Sequence, residues 1–169
     1  MPGHWEGDLI LGLPSSAIGT LVERTTRFTI LLHLPRMHGH GDQARVNNGP
    51  ALAGHGGQAV RDAIAASIVT LPEHLRRSLT WDQGAELAQH AQLGIDTGLQ
   101  VFFCDPHSPW QRGTNENTNG LLRQYFPKRT DLRVHTRADL LAVEQRLNHR
   151  PRKVLGWRTP AQIFHAAMP

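Results

Sequence analysis

The chain has 169 residues and a formal net charge of +4, with 39% hydrophobic and 19% charged residues, a composition typical of a soluble globular protein of one domain. No apolar run approaches the roughly 20 residues that cross a bilayer, and the opening MPGHWEGDLI lacks the features of a signal peptide. The single cysteine, Cys104, excludes an internal disulfide framework. We therefore expect a cytoplasmic protein with no membrane partner.

The first third of the chain predicts three strands in an antiparallel meander. EGDLILGL alternates polar and apolar residues, and IGTLVERT and RFTILLHL are β-branched runs that flank a turn at Thr26-Arg27. Residues 35–57 are rich in Gly, His and Asn, and this composition predicts a surface loop.

The rest of the chain predicts alternating helices and strands. In chain order we expect a helix at 58–71, a strand at 78–84, a helix at 86–94, a strand at 99–105, a helix from 116 that ends before Pro127, a helix at 138–149 capped by Thr136, and a helix at 159–168 with Pro160 in its first turn. The order β-β-β-α-β-α-β-α-α-α predicts one α/β domain over residues 1–169 with a single mixed sheet.

Positive charge is concentrated towards the C-terminus. Residues 112–158 hold 11 basic and 4 acidic residues, a net charge of +7, whereas residues 1–111 hold 7 basic and 10 acidic residues, a net charge of −3. This asymmetry favours contact with a polyanion such as nucleic acid, although a solvated basic helical face has the same composition.

Three acidic residues occupy positions that suggest chemistry. Asp8 lies inside the first strand, on the face of Glu6 and Ile10; Asp82 closes the fourth strand, and Glu116 opens the helix after the fifth. Aspartate is depleted in strands, and a buried carboxylate must be paired or bound to a cation. Carboxylates that converge from separate elements suit Mg²⁺, and two such ions can stabilise both oxygens of an in-line phosphoryl displacement.

Each of these carboxylates also has an ordinary explanation. An exposed strand aspartate, a turn aspartate and a glutamate that complements a helix dipole are all common. The pattern by itself does not show that the three side chains meet.

Five segments of the chain are long and distinctive: GHWEGDLILG, SAIGTLVERTTRFTILLHLP, LTWDQGAE, FFCDPHSPWQRGTNENTNGLLRQYFPKRTDL and LNHRPRKVLGWRTPAQ. Together they resemble the catalytic domain of the insertion-sequence-thirty family of bacterial transposases, which belongs to the DDE transposase and retroviral-integrase superfamily. The resemblance implies a ribonuclease H-like fold, a five-stranded mixed sheet with helices on both faces. It also implies that Asp8, Asp82 and Glu116 form a catalytic triad that binds Mg²⁺ or Mn²⁺, with two ions expected.

The resemblance further implies DNA contacts around Glu116 and in the basic C-terminal segment. Arg123 lies two helical turns after Glu116, on the same face, where it would hold a phosphate near the metals; its alternative is a surface arginine. Glu6 is expected to support a metal ligand, and Trp157 to pack against the last helix rather than to stack on a base. The expected DNA-binding residues are His107, Arg112, Asn115, Asn119, Arg123, Lys128, Arg150, Arg152 and Lys153.

The function implied by the resemblance is that of a polynucleotidyl transferase. It would cut one DNA strand at a transposon end and join the resulting 3′-hydroxyl to target DNA, acting as a homo-oligomer on DNA and on no small-molecule substrate. The alternatives are a catalytically silent DNA-binding fragment of a transposase and a ribonuclease H-like host nuclease. Because the chain begins almost at its first strand, we expect the helix-turn-helix region of the family to be absent from it.

Overall fold

The structure, a computed structural model, describes residues 1–13, 16–34, 57–81, 90–104 and 113–168, without the side chains of residues 57, 58, 90, 115 and 116. Nearly all of the loop expected at 35–57 lies outside these ranges. Three short 3-10 turns, Glu73–Leu75, Leu132–Val134 and Lys153–Leu155, accompany the main elements. These main elements are β1 His4–Gly12, β2 Ser16–Glu23, β3 Thr29–His33, α1 Gly57–Ile68, β4 Ser78–Trp81, α2 His90–Thr97, β5 Gln100–Phe103, α3 Gly113–Leu122, α4 Arg137–Asn148 and α5 Pro160–Ala166.

The strands form one five-stranded mixed sheet in the order β3-β2-β1-β4-β5. The first three strands pair antiparallel, which confirms the predicted meander, and β1 pairs parallel with β4, as β4 does with β5. The element order also agrees with the prediction. In this arrangement β1 is the central strand, so any group on β1 has a neighbouring strand on each side.

Helices cover both faces of the sheet because side chains alternate along each strand. On one face Trp5 of β1 joins Leu21 and Leu79 in a buried core, together with apolar residues of α1, α2 and α5. On the other face Ile10 of β1 joins Ile18 in a second core, together with apolar residues of α3 and α4. The predicted division of β1 into two faces is confirmed. None of the helices in the described ranges is long and apolar enough to span a membrane.

Three helix boundaries differ from the predictions. The helix expected to stop at Gly94 continues to Thr97, because the residue in the left-handed conformation is Gly98, with φ of 76°. Helix α1 ends at Ile68 rather than at residue 71. After Ile68 the chain forms a tighter turn, in which the Leu71 N–H bonds to the Ile68 carbonyl. Helix α3 begins at Gly113 rather than at Glu116, so Glu116 is its fourth residue and does not open it; the helix ends at Leu122, before Pro127 as predicted.

Side chains of α4 form hydrogen bonds with backbone groups of the edge strand β3. Asn148 accepts from the Thr29 N–H and donates to the Thr29 carbonyl, both at 2.8 Å, and Glu144 Oε1 accepts from the Leu31 N–H at 2.8 Å. Burial raises the pKa of Glu144, an effect that the Leu31 hydrogen bond and the charge of Arg137 oppose. These bonds fix the C-terminal end of α4 beside the start of β3.

An aromatic ring of β4 packs closely on a glycine of β1 and holds the two strands in position. A Cβ atom added at Gly7 would lie 2.3 Å from Cε3 and Cζ3 of the Trp81 ring, which is fully buried. The ring therefore occupies the space that any other residue at position 7 would need. Gly7 precedes Asp8 and Trp81 precedes Asp82, so this contact holds together the two strands from which these aspartates come.

Substitution of Gly7 by alanine tests the importance of that contact. The methyl group overlaps a buried ring attached to a central strand, so we expect Gly7→Ala to lower the free energy of unfolding by about 1–3 kcal/mol, measured by urea denaturation. The matched control is Gly120→Ala, because a Cβ atom at this position in α3 meets nothing within 4 Å. We expect the control to be neutral or to stabilise by up to about 1 kcal/mol. Equal effects of the two substitutions would contradict the packing argument.

Candidate active site

Asp8 lies half-buried on β1, on the face that α3 covers. Its Oδ1 accepts from the Leu9 N–H at 2.8 Å, and its Oδ2 accepts from Nδ2 of Asn119 at 3.2 Å. On the neighbouring strand, Thr20 pairs with Asp8 in the sheet register, and its hydroxyl donates to the Asp8 carbonyl at 3.3 Å. Backbone and side-chain contacts together therefore fix where this carboxylate lies.

The contact with Asn119 brings helix α3 against Asp8. Glu116 is three positions before Asn119 within α3, so the two positions lie one turn apart on the same side of the helix. The side chain of Glu116 is outside the described residues, as is that of Asn115. The backbone of α3 packs against β1, with position 116 one helical turn before the residue that contacts Asp8; the triad stays a prediction.

Asp82 follows Trp81, the last residue of β4, and lies outside the described residues. Up to that point β4 pairs in parallel with β1, with Glu6 opposite Thr80 in the register. Within the ranges that the structure describes, no three His, Cys, Asp or Glu side chains are grouped so that they could hold a metal ion. Because two of the three triad side chains lie beyond those ranges, the metal site stays a prediction.

Glu6 shares the face of Asp8, as predicted, and is 1% exposed. Its Oε2 lies 3.4 Å from Nε of Arg24, whose side chain is 45% exposed at the end of β2. Glu6 is thus a second carboxylate two positions from Asp8, and the guanidinium of Arg24 lies beside it. A role for Glu6 in supporting a metal ligand stays a prediction.

Arg123 lies just after α3 and binds the protein backbone. Its guanidinium donates to the Leu11 carbonyl at the end of β1, from Nη1 and Nη2 at 3.2 Å, and to the Phe126 carbonyl at 3.3 Å. Burial lowers its pKa. The phosphate contact of Arg123 stays a prediction; in the structure this side chain links the end of α3 to the end of β1.

The other predicted DNA-binding residues fall into two groups. His107 and Arg112 lie outside the described residues. In the remaining group, Lys128, Arg150 and Lys153 are exposed and Arg152 is half-buried.

The predicted packing of Trp157 is wrong, since this side chain is 67% exposed. Gly156 and Trp157 both have positive φ, 64° and 66°, and the Trp157 N–H bonds back to the Arg152 carbonyl at 2.8 Å. This tight turn leaves the indole ring in solvent.

Sequence reasoning missed Arg27. This arginine ends the turn between β2 and β3 with φ of 65°, and its Nη1 donates to Oγ1 of Thr114 in the first turn of α3. The sequence indicated a turn at Thr26-Arg27, but turn patterns carry no signal for a partner 87 positions away.

The amino-acid sequence is similar to those of known proteins over nearly the whole chain. No protein-family profile matches the chain. It is 48% identical over 162 residues to the transposase InsI for insertion sequence element IS30C of Escherichia coli strain K12, covering 96% of this chain and 38% of that protein. It is 50% identical over 165 residues to the transposase for insertion sequence element IS1086 of Cupriavidus metallidurans, covering 97% of this chain and 43% of that protein. The chain thus spans less than half the length of these relatives.

Solved structures with low sequence identity share the fold. The catalytic core domain of BIV integrase superposes with a TM-score of 0.62 at 16% identity, covering 99% of this chain and 96% of that one. A chain of the simian T-cell lymphotropic virus intasome, in complex with PP2A regulatory subunit B56 gamma, superposes with a TM-score of 0.66 at 18% identity, covering 100% of this chain and 57% of that one. The ribonuclease H-like fold predicted from the sequence is therefore confirmed.

The high identity along nearly the whole chain and the integrase-like fold lead to the same assignment. This chain belongs to the insertion-sequence-thirty family of transposases.

Proposed function

We propose that this chain is the catalytic domain of a DNA transposase that cleaves one strand at a transposon end and transfers the new 3′-hydroxyl to target DNA. The observation that carries the proposal is the hydrogen bond between Asn119 of α3 and Asp8 of β1, at 3.2 Å. It supports a site in which Glu116, one helical turn before Asn119, lies close to Asp8.

Asp8, Asp82 and Glu116 are the proposed ligands of two Mg²⁺ or Mn²⁺ ions. Their chemistry fits these metals, since Mg²⁺ prefers carboxylate oxygens and completes its shell with water or phosphate oxygens. When bound, such ions activate the attacking oxygen and neutralise charge on the leaving oxygen. The half-buried position of Asp8, with its N–H and amide donors, suits a carboxylate held in one orientation.

The chain's own residues provide orientation and charge. The Asn119 amide and the Leu9 N–H each hold one oxygen of Asp8, which limits rotation of the carboxylate. The proposed DNA contacts include Lys128, Arg150 and Lys153, whose exposure and positive charge suit contact with backbone phosphates. DNA is the proposed partner, and a homo-oligomer assembled on DNA is the proposed active form.

Replacement of a single triad carboxylate tests the catalytic assignment. We expect Asp82→Asn to lower Mg²⁺-dependent cleavage of a transposon-end duplex roughly 1,000-fold or more, because loss of a metal ligand removes several kcal/mol of transition-state stabilisation. DNA affinity and thermal stability should change little. The matched control is Asp96→Asn, which makes the same chemical change at an exposed position on α2.

The outcomes separate the proposal from its alternatives. Cleavage by Asp82→Asn at the rate of the unmodified chain would refute the assignment. DNA binding without cleavage by the unmodified chain would favour a catalytically silent fragment. Preferential cleavage of RNA–DNA hybrids, with no joining of ends, would favour a host nuclease.

A second substitution separates two roles for Asn119. If its amide positions Asp8, Asn119→Ala should slow cleavage roughly 10- to 100-fold, the loss expected for a hydrogen bond to a charged group, and leave the DNA dissociation constant unchanged. Asn117→Ala is the control, because Asn117 is exposed on the same helix. A weaker DNA affinity with an unchanged cleavage rate at saturating DNA would instead identify Asn119 as the DNA contact that the sequence predicted.

A further inference from the structure

Three arginines from two distant parts of the sequence lie near one another, and one of them, Arg27, contacts the first turn of α3. Arg27 lies in the turn before β3, and Arg150 and Arg152 follow α4. The paired hydrogen bonds between Asn148 and Thr29 hold these two segments side by side. Burial lowers the pKa of Arg152, and the charges of Arg150 and Arg27 lower it further, which is the electrostatic consequence of their proximity.

The cluster of Arg27, Arg150 and Arg152, here called the arginine cluster, has unused hydrogen-bonding capacity. Nε and Nη2 of Arg152 are buried and make no hydrogen bond to any residue that the structure describes. The ion pairs formed within the described ranges involve other arginines: Arg24, Arg61 and Arg133. Gathering like charges without an anion opposes folding, so the arrangement is explained best by a ligand that brings negative charge.

The position of the arginine cluster relates it to the candidate active site. Arg27 donates to Thr114 in the first turn of α3, and Thr114 is two residues before Glu116, a rise of about 3 Å along the helix axis. The N-terminal end of a helix itself favours an anion, which adds to the charge of the three guanidinium groups. An anion held here would therefore lie beside the helix turn that carries Glu116.

We propose that the arginine cluster binds a backbone phosphate of the DNA substrate, and that Arg27 is a substrate-positioning residue beside the active site. The identity of the ligand as DNA rests on the proposed function. Guanidinium groups bind phosphate oxygens through paired N–H donors, and the exposed Arg150 presents such a group to solvent beside the half-buried Arg152. Trp157, exposed on the same loop as Arg152, offers a stacking surface that a nucleic acid would use and a small inorganic anion would not.

The test is DNA affinity measured without catalysis. Fluorescence anisotropy with a labelled duplex of about 30 base pairs, in EDTA, gives dissociation constants for the 169-residue chain and its variants over a range of salt. We expect Arg27→Gln and Arg152→Gln each to weaken binding roughly five- to tenfold and to lower the slope of log K against log salt by about 0.9, the loss of one phosphate contact. Arg61→Gln, which removes the same charge from α1 on the opposite face, should change affinity less than about twofold.

Thermal unfolding without DNA provides a second readout. Arg152→Gln should leave the melting temperature unchanged or raise it, because the substitution relieves repulsion within the arginine cluster. A lower melting temperature for this variant would overturn the proposal, since the side chain would then be stabilising the fold. If Arg27→Gln unfolds through loss of its bond to Thr114, the Arg152 variant still decides the question.

The remaining outcomes distinguish this inference from the proposed function. Affinities of the Arg27 and Arg152 variants equal to that of Arg61→Gln would overturn the inference and leave the cleavage assignment intact. DNA binding that depends on these arginines, in a chain that never cleaves, would support the inference and refute the catalytic proposal. Competition by millimolar inorganic phosphate that depends on Arg152, with DNA affinity unchanged in the variants, would show a small-anion site and overturn the assignment to DNA.

Discussion

The candidate site depends on the packing of the Trp81 ring against Gly7. The ring lies where a Cβ atom at position 7 would be, so β4 is held against the central strand immediately before the chain reaches Asp82. On the opposite face of the same strand, Asn119 binds Asp8 and brings α3 into place. Strand β1 thus contacts both β4, which leads to Asp82, and α3, which carries Glu116. A change that moves β1 would therefore disturb the whole candidate site.

Helix α3 makes three contacts with charged groups, one at each end and one in its middle. Its first turn meets Arg27 through Thr114, its middle meets Asp8 through Asn119, and the residue after its end, Arg123, binds the Leu11 carbonyl. Cationic groups therefore lie at both ends of a short helix, with the carboxylate region between them. This distribution suits a polyanion that passes along the helix while one of its phosphates is held near the carboxylates.

The sequence predicted the features that depend on local patterns. The period of two in β1 placed Trp5 and Asp8 on opposite faces, and Thr136 was identified as the N-cap of α4, where it forms a capping box with Asp139. It did not predict features that depend on tertiary contacts. The exposure of Trp157 follows from a left-handed turn, and the role of Arg27 follows from a helix far away in sequence. The family resemblance supplied the triad, which residue patterns alone left as three separate carboxylates.

The most direct test of the central claim is a crystal structure of the chain with Mn²⁺, in which anomalous scattering locates the metal. The proposed metal site predicts a peak with carboxylate oxygens of Asp8, Asp82 and Glu116 at roughly 2.1 Å, and loss of that peak in Asp82→Asn. Well-ordered crystals in saturating Mn²⁺ that show the three carboxylates too far apart to share an ion, with no peak between them, would contradict it.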